Sequence, residues 1–174
     1  EAALNGLGKP GMGCTATCAY IENDTLAIAH VGDSRAYLLH EGTLIRVTRD
    51  HSYVEELVDA GEITADEARV HPNRSVITRA LGSDPAMYAD HFTLHIEEGD
   101  RLILCSDGLS SMIPDSDIEN IATQSSSAQI CVDNLVDAAL AAGGHDNVTV
   151  VVVDLVDDGV MREAKRVRRR NVTI

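Results

Sequence analysis

Short apolar runs separated by polar turns dominate the first third of the chain. The runs are rich in β-prone residues, and the turns between them are Glu-Asn-Asp, Gly-Asp-Ser and Glu-Gly. This pattern is typical of antiparallel hairpins and predicts a four-stranded meander. The predicted strands cover residues 15–21, 26–31, 35–39 and 43–47.

The pattern becomes helical after residue 50. Residues 52–60 start with a capping Ser, carry a Glu three residues later and stop before a Gly, which predicts a short helix. The same capping-box spacing predicts a second short helix over 64–70. Residues 71–75 and 81–85 lack periodicity, and an irregular insertion inside a sheet protein is typical of a flap that faces a substrate.

The second half returns to strands and then to helices. Strands are predicted over 91–96 and 101–105, a helix over 114–123 and an amphipathic helix over 127–142. Residues 147–155 are nearly continuous Val, which predicts a final strand buried on both faces. Runs of strands followed by runs of helices indicate an α+β fold with stacked layers.

Three aspartates stand where a predicted strand meets a turn. Asp33 and Asp107 each follow an apolar run, and Asp146 precedes the final one. Carboxylates without a Cys or His grouping favour Mg²⁺ or Mn²⁺ over zinc. Two such ions held close together activate a water and stabilise the oxygens of an in-line phosphoryl displacement, which points to phosphoester hydrolysis. Taken alone, each aspartate is more often an ordinary turn former.

Composition adds a charge asymmetry. The chain has 174 residues, 44% of them apolar, which suits one globular domain. Its formal net charge is −14, but residues 160–174 carry +5, which leaves −19 for residues 1–159. Because phosphate backbones bind basic surface, the acidic body argues against nucleic acid as a partner. The basic tail is interpreted as a solvated linker, with approach to an anionic membrane as the alternative.

The lack of a recognisable targeting signal and the usage of cysteine favour the cytoplasm. No apolar run reaches the roughly 18 residues of a membrane span, and the start of the sequence lacks a signal-peptide core. The cysteines at 14, 18, 105 and 131 follow no disulfide or zinc pattern, and three lie in apolar contexts that predict buried free thiols. We therefore expect a cytoplasmic protein or, in a longer parent, a cytoplasmic domain tethered to the membrane.

Six short motifs occur in a fixed order between residues 10 and 155. They are Met12-Gly13-Cys14-Thr15, Val31-Gly32-Asp33-Ser34-Arg35, Thr48-Arg49-Asp50-His51, Arg79-Ala80-Leu81-Gly82, Cys105-Ser106-Asp107-Gly108-Leu109 and Asp146-Asn147-Val148-Thr149. The series resembles the metal-dependent protein serine/threonine phosphatases of the PP2C (PPM) type, in particular their bacterial branch. The resemblance implies an α-β-β-α sandwich of two antiparallel sheets flanked by helices. It also implies a partial phosphatase domain over 1–158, with a flap around 50–86 and a tail or linker at 159–174.

The resemblance implies a set of metal ligands as well. Asp107 and Asp146 correspond to ligands of two core Mn²⁺ or Mg²⁺ ions. Asp33 corresponds to a ligand of a third, weaker ion beside the flap, to which Ser75 of the flap is a further candidate. The neighbouring residues expected to support the turns instead are Ser34, Arg35, His145 and Asn147.

The family's opening segment has no counterpart in this sequence. In the family, that segment supplies an Arg for the substrate phosphate, a metal-bridging Asp and a His that acts as an acid. We therefore expect an N-terminally truncated piece, or missing strands that come from elsewhere. Weak metal binding, little activity alone and self-association would follow.

The expected activity is metal-dependent hydrolysis of phosphoserine and phosphothreonine in proteins. Its partners would be phosphorylated proteins, in particular Ser/Thr kinases and the substrates of those kinases. Two alternatives stay open: a non-catalytic regulatory remnant of the same fold, and another Mg²⁺-dependent phosphohydrolase of the HAD type. The HAD type is disfavoured because no early βαβ unit is visible, and the three retained aspartates favour catalysis over the remnant.

Overall fold

The computed structural model describes residues 12–82, 84 and 86–156, which form two antiparallel sheets and five helices. The strands are β1 (Ala16–Glu22), β2 (Thr25–Val31), β3 (Arg35–His40), β4 (Thr43–Arg46), β5 (Asp90–His95), β6 (Arg101–Cys105) and β7 (Val150–Asp154). The helices are α1 (Tyr53–Asp59), α2 (Ala65–Val70), α3 (Asp107–Ser110), α4 (Asp115–Gln124) and α5 (Ala128–Ala141). The predicted α+β class is therefore confirmed.

The order of the strands brings three chain segments to one sheet edge. The smaller sheet has the order β1-β2-β5 and the larger one the order β4-β3-β6-β7. The chain passes from one sheet to the other in the turn between β2 and β3, so the predicted four-stranded meander is wrong and the first four strands form two separate hairpins. In the larger sheet Arg35 pairs with Cys105, and Cys105 pairs with Val150. The start of β3, the end of β6 and the start of β7 therefore lie side by side, and each adjoins one of the predicted aspartates.

Two apolar layers stabilise the fold. One lies between the sheets, and its buried members are Leu26, Ile28, Ala36, Leu38, Ile96 and Leu102. The other lies between the larger sheet and helices α3, α4 and α5, and its fully buried members include Tyr37, Ile103, Leu109, Ile118 and Leu135. Burial of one such aliphatic side chain contributes about 1.5–3 kcal/mol. Alternate residues of β3 and β6 face opposite layers, so these two strands stabilise both at once.

Capping contacts confirm the predicted helix starts. The Ser52 side chain accepts a hydrogen bond from the backbone N–H of Glu55. Thr64 and Glu67 form a reciprocal capping box at the start of α2, and Ser127 caps α5. Each contact satisfies a backbone N–H that the helix itself leaves unpaired.

The prediction for the last strand is wrong in its burial. The strand β7 covers only Val150–Asp154, and its burial alternates, with Val151 49% and Val153 37% exposed. Their register with Leu104 and Leu102 places them on the face between the sheets. There β7 is the edge of a four-stranded sheet packed on a three-stranded one, so its cover is incomplete. A run of Val is compatible with a central or an edge strand.

Two smaller predictions also change. Asp107 does not lie in an open glycine turn but begins the one-turn helix α3. Cys105 and Cys131 are buried free thiols, whereas Cys14 and Cys18 are exposed, so the expectation of three buried thiols is wrong. Cys18 is exposed because side chains alternate along β1: Ala19 packs on the core, so Cys18 points to the opposite face of the strand.

The predicted basic tail at 159–174 lies outside the described residues, so the domain boundary near 158 stays a prediction. Within the part of the chain that the structure describes, every helix is too short or too polar to cross a membrane. The predicted flap region contains α1 and α2, followed by the irregular segment that begins at His71.

Candidate active site

A cleft of about 320 Å³ opens at the sheet edge where β2 and β6 end and β7 begins. Its walls include the predicted aspartates Asp33, Asp107 and Asp146. Ser75 of the flap lines the same cleft. The structure therefore brings all four residues predicted from the sequence to one space, although they come from four separate parts of the chain.

Contacts of Ser106 lock the Asp107 and Asp146 segments together. The Ser106 hydroxyl donates to the Asn147 carbonyl oxygen at 3.2 Å and accepts the Thr149 N–H at 3.0 Å. The Ser106 backbone N–H donates to the Thr149 carbonyl oxygen at 3.0 Å. The relative position of the two carboxylates is therefore determined largely by these hydrogen bonds of Ser106, two through its hydroxyl and one through its backbone.

Glycine is required at two positions beside the aspartates. A Cβ on Gly108 would overlap the carbonyl group of Asn147, and a Cβ on Gly32 would overlap the side chain of Thr15. Gly32 also has a φ of +113°, which L residues rarely adopt. Asp33 and Asp107 are thus each next to a glycine whose backbone packs directly against a neighbouring segment.

Burial and neighbouring negative charge raise the pKa values of two of the three aspartates, Asp33 and Asp107. The pKa of Asp33 is raised to about 6, first by burial and then by the charge of Asp107. Burial and the charge of Asp146 raise the pKa of Asp107 as well. None of the three forms an ion pair with a described residue. A cation in the cleft would relieve this repulsion.

Arg35 lines the same cleft but is held by acidic neighbours. Its Nε donates to Asp50 Oδ1 at 3.0 Å and its Nη2 to Asp50 Oδ2 at 2.8 Å. Its Nη1 donates to the Tyr37 hydroxyl at 3.1 Å and to Asp115 at 3.3 Å. Although burial opposes the charge, the hydrogen bonds to Asp50 raise the pKa of Arg35 above its ordinary value. Arg35 thus supports the wall of the cleft.

The flap is attached to the body by backbone hydrogen bonds at two places. Thr78 N–H donates to the His51 carbonyl oxygen at 2.8 Å. Cys14 and Leu81 exchange two bonds, of 3.1 and 2.8 Å, beside β1. These contacts hold Ser75 over the cleft, where its side chain is exposed.

The predicted supporting residues lie in the turns beside the aspartates. Asn147 N–H donates to Asp146 Oδ1 at 2.7 Å, so its backbone orients the carboxylate. The Ser34 hydroxyl lies 3.1 Å from that of Thr15, within the turn that carries Asp33. His145 is exposed and lines the cleft.

The donors in the cleft suit hard cations. Three carboxylates and a hydroxyl offer oxygen only. Within residues 12–82, 84 and 86–156, no three His, Cys, Asp or Glu side chains are arranged to hold one ion. Each ion would therefore take one or two of these carboxylates, and Mg²⁺ is commonly bound by one or two carboxylates with water completing its octahedral shell. The residues present fit cation sites of this water-completed kind.

Several residues of the site region were not foreseen from the sequence. Asp50, His51 and Ser106 lie within the six ordered motifs, and their place in a motif was the only indication that they contribute to the site. Asp90 lies outside the motifs, at the start of β5, and accepts hydrogen bonds from His51 and Arg79. Its contacts join residues far apart in the chain, so no local pattern could have indicated them.

The fold and the cleft define an α+β sandwich protein with an acidic, cation-suited site at the edge of its sheets. The family model described as Protein phosphatase 2C matches residues 8–148. The chain belongs to the protein phosphatase 2C family.

Curated relatives are bacterial. The chain is 40% identical over 144 residues to the serine/threonine phosphatase stp of Listeria welshimeri, covering 83% of this chain and 57% of that protein. It is 45% identical over 150 residues to the serine/threonine protein phosphatase PstP of Mycobacterium tuberculosis, covering 84% of this chain and 28% of that protein. The chain thus spans little more than half, or less, of the length of these relatives.

Solved structures agree with this assignment. The serine/threonine phosphatase PstP/Ppp of Mycobacterium tuberculosis superposes with a TM-score of 0.78 at 42% identity, over 84% of this chain and 62% of that one. The catalytic domain of PstP in complex with two manganese ions gives a TM-score of 0.76 at 40% identity, over 84% and 60%. The predicted bacterial branch and sandwich fold are confirmed.

Proposed function

We propose that the chain supplies the aspartate-lined part of the active site of a protein serine/threonine phosphatase. The reaction is hydrolysis of phosphoserine and phosphothreonine with Mn²⁺ or Mg²⁺. The observation that carries the proposal is the convergence of Asp33, Asp107 and Asp146 on one cleft, where none of them forms an ion pair with a described residue. Family membership and the two manganese ions of the PstP catalytic domain support it.

Each residue of the cleft then has a distinct task. Asp107 and Asp146 hold the two core ions, and Asp33 with Ser75 holds a third, weaker one. When bound, such ions activate a water and neutralise charge on the phosphoryl oxygens. Ser106 keeps the two core carboxylates in register through its hydrogen bonds to Asn147 and Thr149, in the segment between Asp146 and β7.

The flap suits an anionic protein substrate. Arg69 and Arg74 of the flap line the same cleft as the aspartates. Arginine side chains pair well with phosphate and carboxylate groups. Phosphorylated proteins, in particular Ser/Thr kinases and the substrates of those kinases, are therefore the proposed partners.

Phosphate release from a phosphothreonine peptide tests the proposal. The assay uses the chain alone and the chain joined to the part of Listeria welshimeri stp that it does not cover. Hydrolysis should require Mn²⁺ or Mg²⁺ and should be lost in Asp107→Asn but retained in Asp137→Asn, a change at an exposed position of α5. Undiminished hydrolysis in excess EDTA would falsify the proposal. Mn²⁺ binding without hydrolysis in either protein would favour a non-catalytic module instead.

A further inference from the structure

His51 joins three parts of the fold through all four of its polar groups. It is only 7% exposed. Its N–H donates to the Gly32 carbonyl oxygen at 2.7 Å, and the Gly32 N–H donates back to its Nδ1 at 3.0 Å. Its carbonyl oxygen accepts the Thr78 N–H at 2.8 Å, and its Nε2 lies 3.0 Å from Asp90 Oδ2.

These contacts determine which nitrogen of the His51 ring carries the proton. Because Nδ1 faces the N–H of Gly32, Nδ1 must accept and carries no proton. The ring proton therefore sits on Nε2 and is donated to the Asp90 carboxylate. The ring also lies 4.9 Å from the buried ring of His30, measured between the two ring centres.

The bonds of His51 hold two segments that carry proposed ligands of the weaker ion. Gly32 immediately precedes Asp33 in the turn between β2 and β3. Ser75 lies three residues before Thr78 in the flap. A single buried side chain and its backbone thus connect two ligands that are far apart in sequence, although His51 itself does not line the cleft.

Asp90 anchors the other side of the ring. It pairs with His30 of β2 at the start of β5, so its backbone is fixed in the smaller sheet. Its second oxygen accepts Arg79 Nη1 at 2.6 Å, and the guanidinium carbon of Arg79 lies 4.3 Å from the centre of the Tyr88 ring. With its carboxylate held in this way, Asp90 keeps the His51 ring from turning away from Gly32.

We propose that His51, oriented by Asp90, is the positioning residue of the weaker cation site, because it holds Asp33 and Ser75 in register without touching the ion. The inference rests on the proposed function, which assigns those two ligands. Partners that orient metal ligands from outside the coordination shell affect metal affinity by roughly 10–100-fold.

Mn²⁺ titration of the chain, followed by calorimetry and by broadening of amide NMR signals, tests the inference without using hydrolysis. His51→Gln keeps a donor within reach of Asp90 but has no acceptor at the position of Nδ1. Asp90→Asn keeps an acceptor for the ring and is the conservative variant. His95→Gln, at a side chain of β5 that is 63% exposed, is the control.

The weaker ion is recognised as the calorimetric binding step that Asp33→Asn removes, and the broadening shows that the Mn²⁺ ions bind in the cleft. We expect His51→Gln to weaken its binding roughly 10–100-fold and to leave binding at Asp107 and Asp146 within twofold. Asp90→Asn should give a smaller loss, and the control none. Unchanged affinity in His51→Gln, or an equal loss at every site, would overturn the inference.

Further measurements cover a variant that does not fold and separate this inference from the proposed function. If His51→Gln does not fold, the ¹⁵N spectrum of the wild-type ring decides together with Asp90→Asn. A proton on Nδ1, or an unaltered weak site in Asp90→Asn, would overturn the inference. Mn²⁺ binding that the variants alter as expected, without phosphate release by the chain alone or joined to the missing part of stp, would support this inference and contradict the proposed function. A wild type that binds no Mn²⁺ in either form would overturn both.

Discussion

Arg35 and Asp50 form a bidentate ion pair in the wall of the cleft, with side-chain exposures of 15% and 9%. Arg35 begins β3, whereas Asp50 belongs to the segment that leads from β4 to α1. The pair therefore ties the larger sheet to the segment that also carries His51. The ion pair in the wall of the cleft therefore also holds the segment that carries His51, the proposed positioning residue of the weaker cation site.

Replacing Asp50 should destabilise the fold. Asp50→Asn leaves the Arg35 charge in a mostly buried place with weaker partners, so we expect the free energy of unfolding to fall by about 3 kcal/mol. Urea unfolding of the metal-free chain measures the change. The control Asp137→Asn should stay within about 0.5 kcal/mol of wild type. An equally small effect of Asp50→Asn would show that Tyr37 and Asp115 are sufficient partners for Arg35.

The three aspartates should differ in their effect on catalysis. Asp107→Asn or Asp146→Asn removes a charge that holds a core ion, so turnover of the complete phosphatase should fall by orders of magnitude. Asp33→Asn should leave the core ions in place and change mainly the dependence of the rate on Mn²⁺ concentration. Initial rates across a Mn²⁺ series separate the two results. Wild-type turnover of Asp107→Asn at saturating Mn²⁺ would show the assignment of Asp107 to be wrong.

A methyl group at position 108 should disturb metal binding. Gly108→Ala forces the Asn147 carbonyl away, which should lower the free energy of unfolding by about 1–3 kcal/mol and move Asp107 relative to Asp146. Mn²⁺ affinity of the chain should fall with it. Gly42→Ala is the matched control, because it lies in open space with a φ of +79°. That control should lose about 1–2 kcal/mol through its backbone and keep its Mn²⁺ affinity.

The pair of His40 and Asp100 should make stability depend on pH. His40 Nδ1 lies 2.7 Å from Asp100 Oδ1, and this hydrogen bond, with the charge of Asp100, raises the pKa of His40 above 6.5. The folded state then binds the proton more tightly than the unfolded state. The stabilisation is therefore full below 6.5 and is lost as pH rises through the higher folded pKa.

Thermal unfolding from mildly acidic to mildly alkaline pH tests this pair. The wild-type transition should fall relative to that of His40→Gln as pH rises, because only the wild type loses the pair. His95→Gln should follow the wild-type curve. Parallel curves for wild type and His40→Gln would show that the hydrogen bond does not contribute.

The four thiols should divide into two classes. Burial raises the pKa of Cys105 to about 12, and Cys131 is buried as well, so neither presents the reactive thiolate near neutral pH. Cys14 and Cys18 are exposed. Iodoacetamide should therefore label only these two in the native chain and all four after unfolding, as mass spectrometry would show. Native labelling of Cys105 would indicate that the end of β6 opens.

The sequence was sufficient where a local signal decides the structure. Ser52 and Thr64 indicated their helices because a capping side chain acts within three residues. The aspartates were found because a carboxylate at a strand end is visible in a short window. Burial of β7 was mispredicted because it depends on the width of the opposite sheet. His51 was missed because Gly32 and Asp90, which give it a role, are distant in the chain.

The half-exposed valines of β7 make the solubility of the chain depend on the salt concentration. The edge of a sheet offers unpaired backbone groups and, here, Val151 and Val153, to which a second copy can add. A formal net charge of −14 opposes that approach. This repulsion reaches roughly 10 Å at 0.1 M salt but only about 3 Å at 1 M. We therefore expect the chain to stay dispersed at low ionic strength and to associate as added salt screens its charge.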